Sequence, residues 1–218
     1  MPGATVTGMI SLTSVTLEVA DLAAAERFYA DAFGLGPRLA LRASQAETTG
    51  FRGFSMSITV AQPADVDSFI TSALGAGATT LKPAEKSLWG YGGVVQAPDG
   101  TIWKMATSSK KNTGPATRKV DDLVLLLGAE DVKASKQFYV EQGLSVAKSF
   151  GGKYVEFASG DDAPVKLALY KRRGLAKDVG VAEEGSGSHR IVLGGTAGAF
   201  TDPDGFAWEP APVTSAQA

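Results

Sequence analysis

The chain has 218 residues, 44% of them hydrophobic and 20% charged, the composition of an ordinary globular protein long enough to bury a sizeable core. A formal net charge of −2 offers no broad attraction to phosphate backbones or anionic membranes, so neither nucleic acid nor a membrane is expected as a partner. With no cysteine, disulfides, thiolate nucleophiles and cysteine-ligated zinc are excluded.

Residues 1–10 lack a basic start followed by an apolar run, and no later stretch has the length of apolar sequence that a bilayer requires, so the cytoplasm is the expected location. Val15, Leu17 and Val19 alternate with Thr16 and Glu18, the period of a half-buried strand. Asp21 stands where a helix N-cap belongs, and Leu22, Ala25, Phe28, Tyr29 and Ala32 follow at helical spacing up to Gly34. Strands are predicted over 37–43, 47–53 and 54–60. Pro63 then opens an amphipathic helix that ends at Gly75-Ala76-Gly77. Strands over 78–81, 92–96 and 101–106 close the first half, the last two joined by the turn Pro98-Asp99-Gly100.

Residues 108–118 are polar, contain Gly114-Pro115 and read as a linker between domains at 1–107 and 119–218. The second half predicts a strand over 122–127, a helix over 131–142, strands over 145–150, 153–158 and 165–170, a long polar loop over 171–188 and a strand over 189–193.

The two halves repeat each other. Asp21-Leu22 leading to Phe28-Tyr29 and Gly34-Leu35 returns as Asp131-Val132 leading to Phe138-Tyr139 and Gly143-Leu144. Pro98-Asp99-Gly100 with Trp103 returns as Pro203-Asp204-Gly205 with Trp208. The copies differ in one respect: 37 residues lie between Val60 and Pro98, but only nine between Leu193 and Pro203. Nine residues cannot hold a helix beside the turns, so the second copy is predicted to lack one.

This order of elements resembles the vicinal oxygen chelate superfamily, which includes glyoxalase I, extradiol dioxygenases and bleomycin-resistance proteins. The likeness runs over residues 14–209, and Trp89-Gly90-Tyr91-Gly92-Gly93 before Pro98 resembles its antibiotic-resistance and glyoxalase-like branch. The resemblance implies an α+β fold of tandem domains, built from paired βαβββ units whose sheets curl into U-shaped cups. Such a fold hosts lyases, oxygenases and plain binders, so it leaves the activity open.

Family enzymes hold a divalent metal at set places. In the first half those places carry Ser14, Ser55 and Lys104, a donor set that will not hold a cation. In the second half they carry His189, the only histidine, and Glu209; the opening place falls on Val124, or on Asp122 if Gly128 is an insertion. With Asp122 the set suits Mn, Fe, Ni or Zn; with Val124 two ligands remain, too few for tight binding. Against this, a lone histidine at a strand start is commonly a hydrogen-bonded residue, and a glutamate after a hairpin is commonly solvated.

Trp89, Tyr91, Trp103 and Trp208 offer walls for a flat ligand, although the repetition of Trp103 and Trp208 favours packing. Three functions follow. The leading one is a metal-free protein that binds or sequesters a small organic molecule, with Ser14, Ser55, Lys104, Trp89 and Tyr91 at the ligand and no cofactor. The second is a metal-dependent lyase or dioxygenase at His189, Glu209 and Asp122. The third is a non-catalytic interaction protein with filled cups. A monomer and a homodimer are both compatible with two fused domains.

Overall fold

The computed structural model describes residues 11–160, 163–196 and 198–210; the reading of residues 1–10 lies outside them. Strand β1 (Leu12–Val19) buries Val15, Leu17 and Val19 on one face, as the alternation predicts. Helix α1 (Leu22–Ala32) is capped by the Asp21 carboxylate, which accepts from the Ala24 N–H at 2.9 Å. Gly34 ends it in the left-handed conformation, φ 60°. After a 3₁₀ turn at Gly36–Arg38 come β2 (Ala40–Ala43), β3 (Thr48–Gly50) and β4 (Phe54–Thr59). Helix α2 (Pro63–Gly75) has its proline in the first turn, and β5 (Thr79–Ser87), β6 (Gly90–Gln96) and β7 (Ile102–Thr107) complete the half.

The second half runs β8 (Asp122–Ala129), α3 (Val132–Glu141), β9 (Val146–Phe150), β10 (Tyr154–Phe157) and β11 (Lys166–Lys171). Here one expectation is corrected. The first part of the 171–188 stretch, read as loop, is helix α4 (Arg172–Val179), and its end carries β12 (Gly185–Gly187). Three buried apolar residues in eight, Leu175, Ala176 and Val179, make too short a stripe to stand out among lysines and arginines. The readable signal was Gly180, a left-handed stop at φ 83° whose N–H bonds to the Ala176 carbonyl. The chain ends in β13 (Ile191–Gly195), β14 (Phe200–Thr201) and β15 (Ala207–Pro210), and among the described residues no helix lies between β13 and Pro203. No helix among the described residues is long and apolar enough to cross a membrane.

The sheets cross the boundary between the repeats. An eight-stranded sheet has the order β5-β6-β7-β4-β8-β11-β10-β9: two complete βαβββ units, one from each half, joined by antiparallel β4 and β8 with Met56 opposite Leu125. A five-stranded sheet, β14-β15-β13-β1-β2, takes the remainder, with β1 antiparallel to β13 and Val15 opposite Leu193. A ribbon of β3 and β12 also joins the halves.

One face of each sheet feeds a common core. Met56, Ile58 and Leu125 of the large sheet and Leu17 and Leu193 of the small one belong to a single buried cluster with Phe28, Phe69 and Tyr139 from α1, α2 and α3. Within each repeat one aromatic pair ties a helix to the other sheet's strand. The Trp103 indole N–H of β7 donates to the Tyr29 hydroxyl of α1 at 3.4 Å, and Trp208 of β15 donates to Tyr139 of α3 at 3.2 Å. The duplication of both tryptophans is therefore a packing device.

Candidate functional site

Strand parity puts Ser55, Ser57, Val94, Ile102, Lys104, Leu126 and Tyr170 on the face of the large sheet away from the common core. That face, where the family resemblance leads one to expect a ligand, is covered by α4. Leu175, Ala176 and Val179 bury against Val94, Ile102 and Phe51 in a second apolar cluster, with Leu126 and Tyr170 packed beside it. Lys104 Nζ lies 2.7 Å from Asp178 Oδ2, and Lys82 Nζ donates to the carbonyls of Lys177 and Asp178 at the C-terminal end of α4, where a cation also complements the helix dipole. Ser55 is 1% exposed and its hydroxyl has no partner among the described residues.

The Lys104–Asp178 pair has side chains 31% and 40% exposed, so its contribution is modest. Lys104→Met is expected to cost less than about 1 kcal/mol in urea unfolding. A larger loss would show that the lysine, rather than the apolar stripe, holds α4 in place.

The residues named from the sequence are distributed as follows. Ser14 and Glu209 share the outer face of the small sheet, on either side of Gly194, which pairs with both. Glu209 accepts from Arg42 Nη1 with both oxygens, at 3.0 and 3.2 Å, and the same guanidinium holds Glu18 at 2.8 Å. Ser55 and Lys104 lie on the large sheet beneath α4. Trp89 is 84% exposed in the turn between β5 and β6. Tyr91 points to α2, where its hydroxyl donates to Asp67 at 2.7 Å; that bond, with burial, pushes its pKa up to about 12. No single ligand-facing surface collects these five.

The expected metal set is not assembled either. Asp122 stands on the large sheet and pairs with Lys166 at 2.7 Å. His189 precedes β13, stacks on Phe206 with ring centroids 4.1 Å apart, and places Nδ1 2.6 Å from the Arg52 carbonyl and Nε2 3.1 Å from the Asp204 carbonyl. A neutral imidazole has one N–H, so one of these nitrogens donates to its carbonyl, and both ring nitrogens face backbone carbonyls rather than Asp122 or Glu209. Glu209 is held by Arg42. Among the described residues no three His, Asp or Glu side chains form a group able to hold an ion. These donors do not fit a divalent cation.

What the structure does offer is a cavity of about 600 Å³ that the sequence reading missed. Ala24, Ala25 and Phe28 of α1 line it with Pro98 and the end of α2, and Arg52 and Arg190 line it as well. This is the size range of small-molecule sites, with a mixed apolar and polar wall. It could not be read locally, because its parts come from positions as far apart as 20 and 190.

No family model matches the chain, and no curated protein matches it. Among solved structures it is similar to glyoxalase I from Zea mays, with a TM-score of 0.59, 15% identity and 91% of each chain covered. The V278E mutant of that enzyme gives 0.59, 16% and the same coverage. A putative dioxygenase from Bacillus subtilis gives a TM-score of 0.53 at 12% identity, covering 85% of this chain and 70% of that one. The fold is therefore the glyoxalase, or vicinal oxygen chelate, fold in tandem form.

Proposed function

We propose that this chain is a metal-free member of the vicinal oxygen chelate superfamily that binds a small organic molecule. The observation that carries the reading is the fate of the metal donors: Asp122, His189 and Glu209 each hold a protein partner, on two different sheets, while a cavity of about 600 Å³ remains. Binding in that cavity needs shape, an apolar wall and a few polar groups, all of which it has. Because both sheets are completed by strands of one chain, the monomer is the expected binding unit.

Two measurements test this. Elemental analysis of untagged protein after incubation with Mn, Fe, Ni and Zn is expected to find far less than one metal per chain, unchanged in His189→Ala. Near-stoichiometric metal that the mutation removes would establish the lyase or dioxygenase reading instead. A thermal-shift screen against a set of small organic molecules is expected to yield stabilising compounds. No hit from the set would favour the interaction-protein reading, to which the α4-filled large sheet already lends support.

A further inference from the structure

Arg52 and Arg190 are unusual among the charged residues here. Both are partly buried, both line the same cavity, and among the described residues neither forms an ion pair with a carboxylate. Their hydrogen bonds go to neutral carbonyls: Arg52 Nη2 donates to Asp99, and Arg190 Nη1 donates to Ser44 at 2.6 Å. Among the described residues each keeps a buried nitrogen with no hydrogen-bond partner, Nη1 of Arg52 and Nε of Arg190. Buried donors are normally satisfied, so two orphans on neighbouring cations mark a place where a partner is missing.

Three further facts agree. Burial lowers the Arg52 pKa, Asp99 opposes that shift, and the Arg190 charge lowers it again, so the two guanidiniums feel each other. Arg190 holds φ at 56°, a left-handed backbone uncommon for a residue with a side chain. Asp99 lies near enough to favour the Arg52 charge, but among the described residues no acid of the cavity forms an ion pair with either arginine: Asp99 accepts from the Tyr29 hydroxyl and the Thr101 N–H, Asp21 caps α1, and Asp31 stands exposed on α1.

We propose that Arg52 and Arg190 together seat an oxyanion, the carboxylate or phosphoryl group of a small organic ligand whose apolar body lies along Ala24, Ala25 and Phe28. This rests on the binding function proposed above and names its ligand class. A small rotation of either guanidinium brings its unpaired N–H to the anion, which supplies the missing acceptor and separates the two positive charges. Planar N–H forks match such groups better than an ammonium does.

The test is calorimetric titration of the full chain at low salt with phenylacetate, phenyl phosphate and the neutral phenylacetamide. At least one anion is expected to bind saturably, at least about tenfold tighter than the amide, and more weakly as salt rises. Which anion binds distinguishes a carboxylate ligand from a phosphoryl one. Arg190→Asn keeps a residue that tolerates the left-handed backbone and is expected to weaken anion binding about tenfold or more while the protein stays folded. Arg52→Lys, which keeps the charge but loses the fork, is expected to weaken it too.

Equal binding of acid and amide, no binding of either anion to the wild type, or unchanged binding in folded Arg190→Asn would each overturn the proposal. If neutral compounds stabilise the protein in the thermal-shift screen while both anions fail, the oxyanion seat falls and the binding function stands. If nothing stabilises it, both fall.

Discussion

Trp103→Ala is expected to lower the unfolding free energy by about 3–5 kcal/mol, the largest single-residue effect anticipated here. The side chain is fully buried, its ring centroid 4.6 Å from that of Phe33 and 5.7 Å from that of Tyr29. Truncation leaves a cavity between two sheets that cannot easily close, because α1 is anchored to β1 by a short connection and Trp103 sits in β7 of the other sheet. It also removes the indole donor from the Tyr29 hydroxyl, which itself donates to Asp99 at 2.8 Å. Burial and Asp99 hold the Tyr29 pKa well above its ordinary value, so the phenol stays a neutral donor. Trp103→Phe keeps most of the volume and is expected to cost clearly less. Guanidinium unfolding with a common slope for all variants checks this, and a loss below about 1 kcal/mol for the alanine variant would mean that the sheets are not tied here.

The second large effect belongs to Asp65, a buried carboxylate in the first turn of α2. Its Oδ1 accepts from the backbone N–H groups of Thr117 and Arg118, at 2.5 and 2.7 Å, and from the Thr117 hydroxyl at 3.1 Å. Gln62, just before α2, makes the companion contacts to Thr113, Gly114 and Pro115. The segment read as a linker, 108–118, is thus hydrogen-bonded to α2 and Gln62 along its second half.

Asp65→Ala removes the buried acceptor of three hydrogen bonds to Thr117 and Arg118 and is expected to cost about 1–3 kcal/mol. Burial pushes the Asp65 pKa up, but the N–H groups of Arg118 and Thr117 pull harder, leaving it below the ordinary aspartate value. Its folded pKa being the lower one, its stabilising contribution is complete above roughly pH 4 and is lost as pH falls through the folded value. Wild type is therefore expected to lose stability on acidification over a range where Asp65→Asn loses less. A parallel pH dependence for the two proteins would contradict the assignment.

How much of this was legible can be judged residue by residue. Asp21 as a helix cap, Gly34 as a stop, Pro63 in a first turn and the alternation in β1 were read correctly, because each depends on neighbours within a few positions. The repeat and the missing helix after β13 were legible for a similar reason, since spacing is a property of the chain alone. Helix α4 was not, because its short stripe makes sense only against Val94 and Ile102, which lie about 80 residues earlier.

The site was less legible than the fold. Aligned positions suggested His189, Glu209 and Asp122 as partners, yet side-chain partners are chosen in three dimensions: Arg42 claims Glu209, Lys166 claims Asp122, and two carbonyls face His189. Residue order alone gives most of the elements, the N-cap of α1, the duplication and the fold that follows from them. Which strands meet across the repeats, that α4 exists and covers the large sheet, and that Arg52 and Arg190 share a cavity emerge only in three dimensions. The difference lies in the range of the interactions. Backbone periodicity and capping act within a turn or a strand, whereas strand register, apolar burial and charge pairing join residues more than a hundred positions apart.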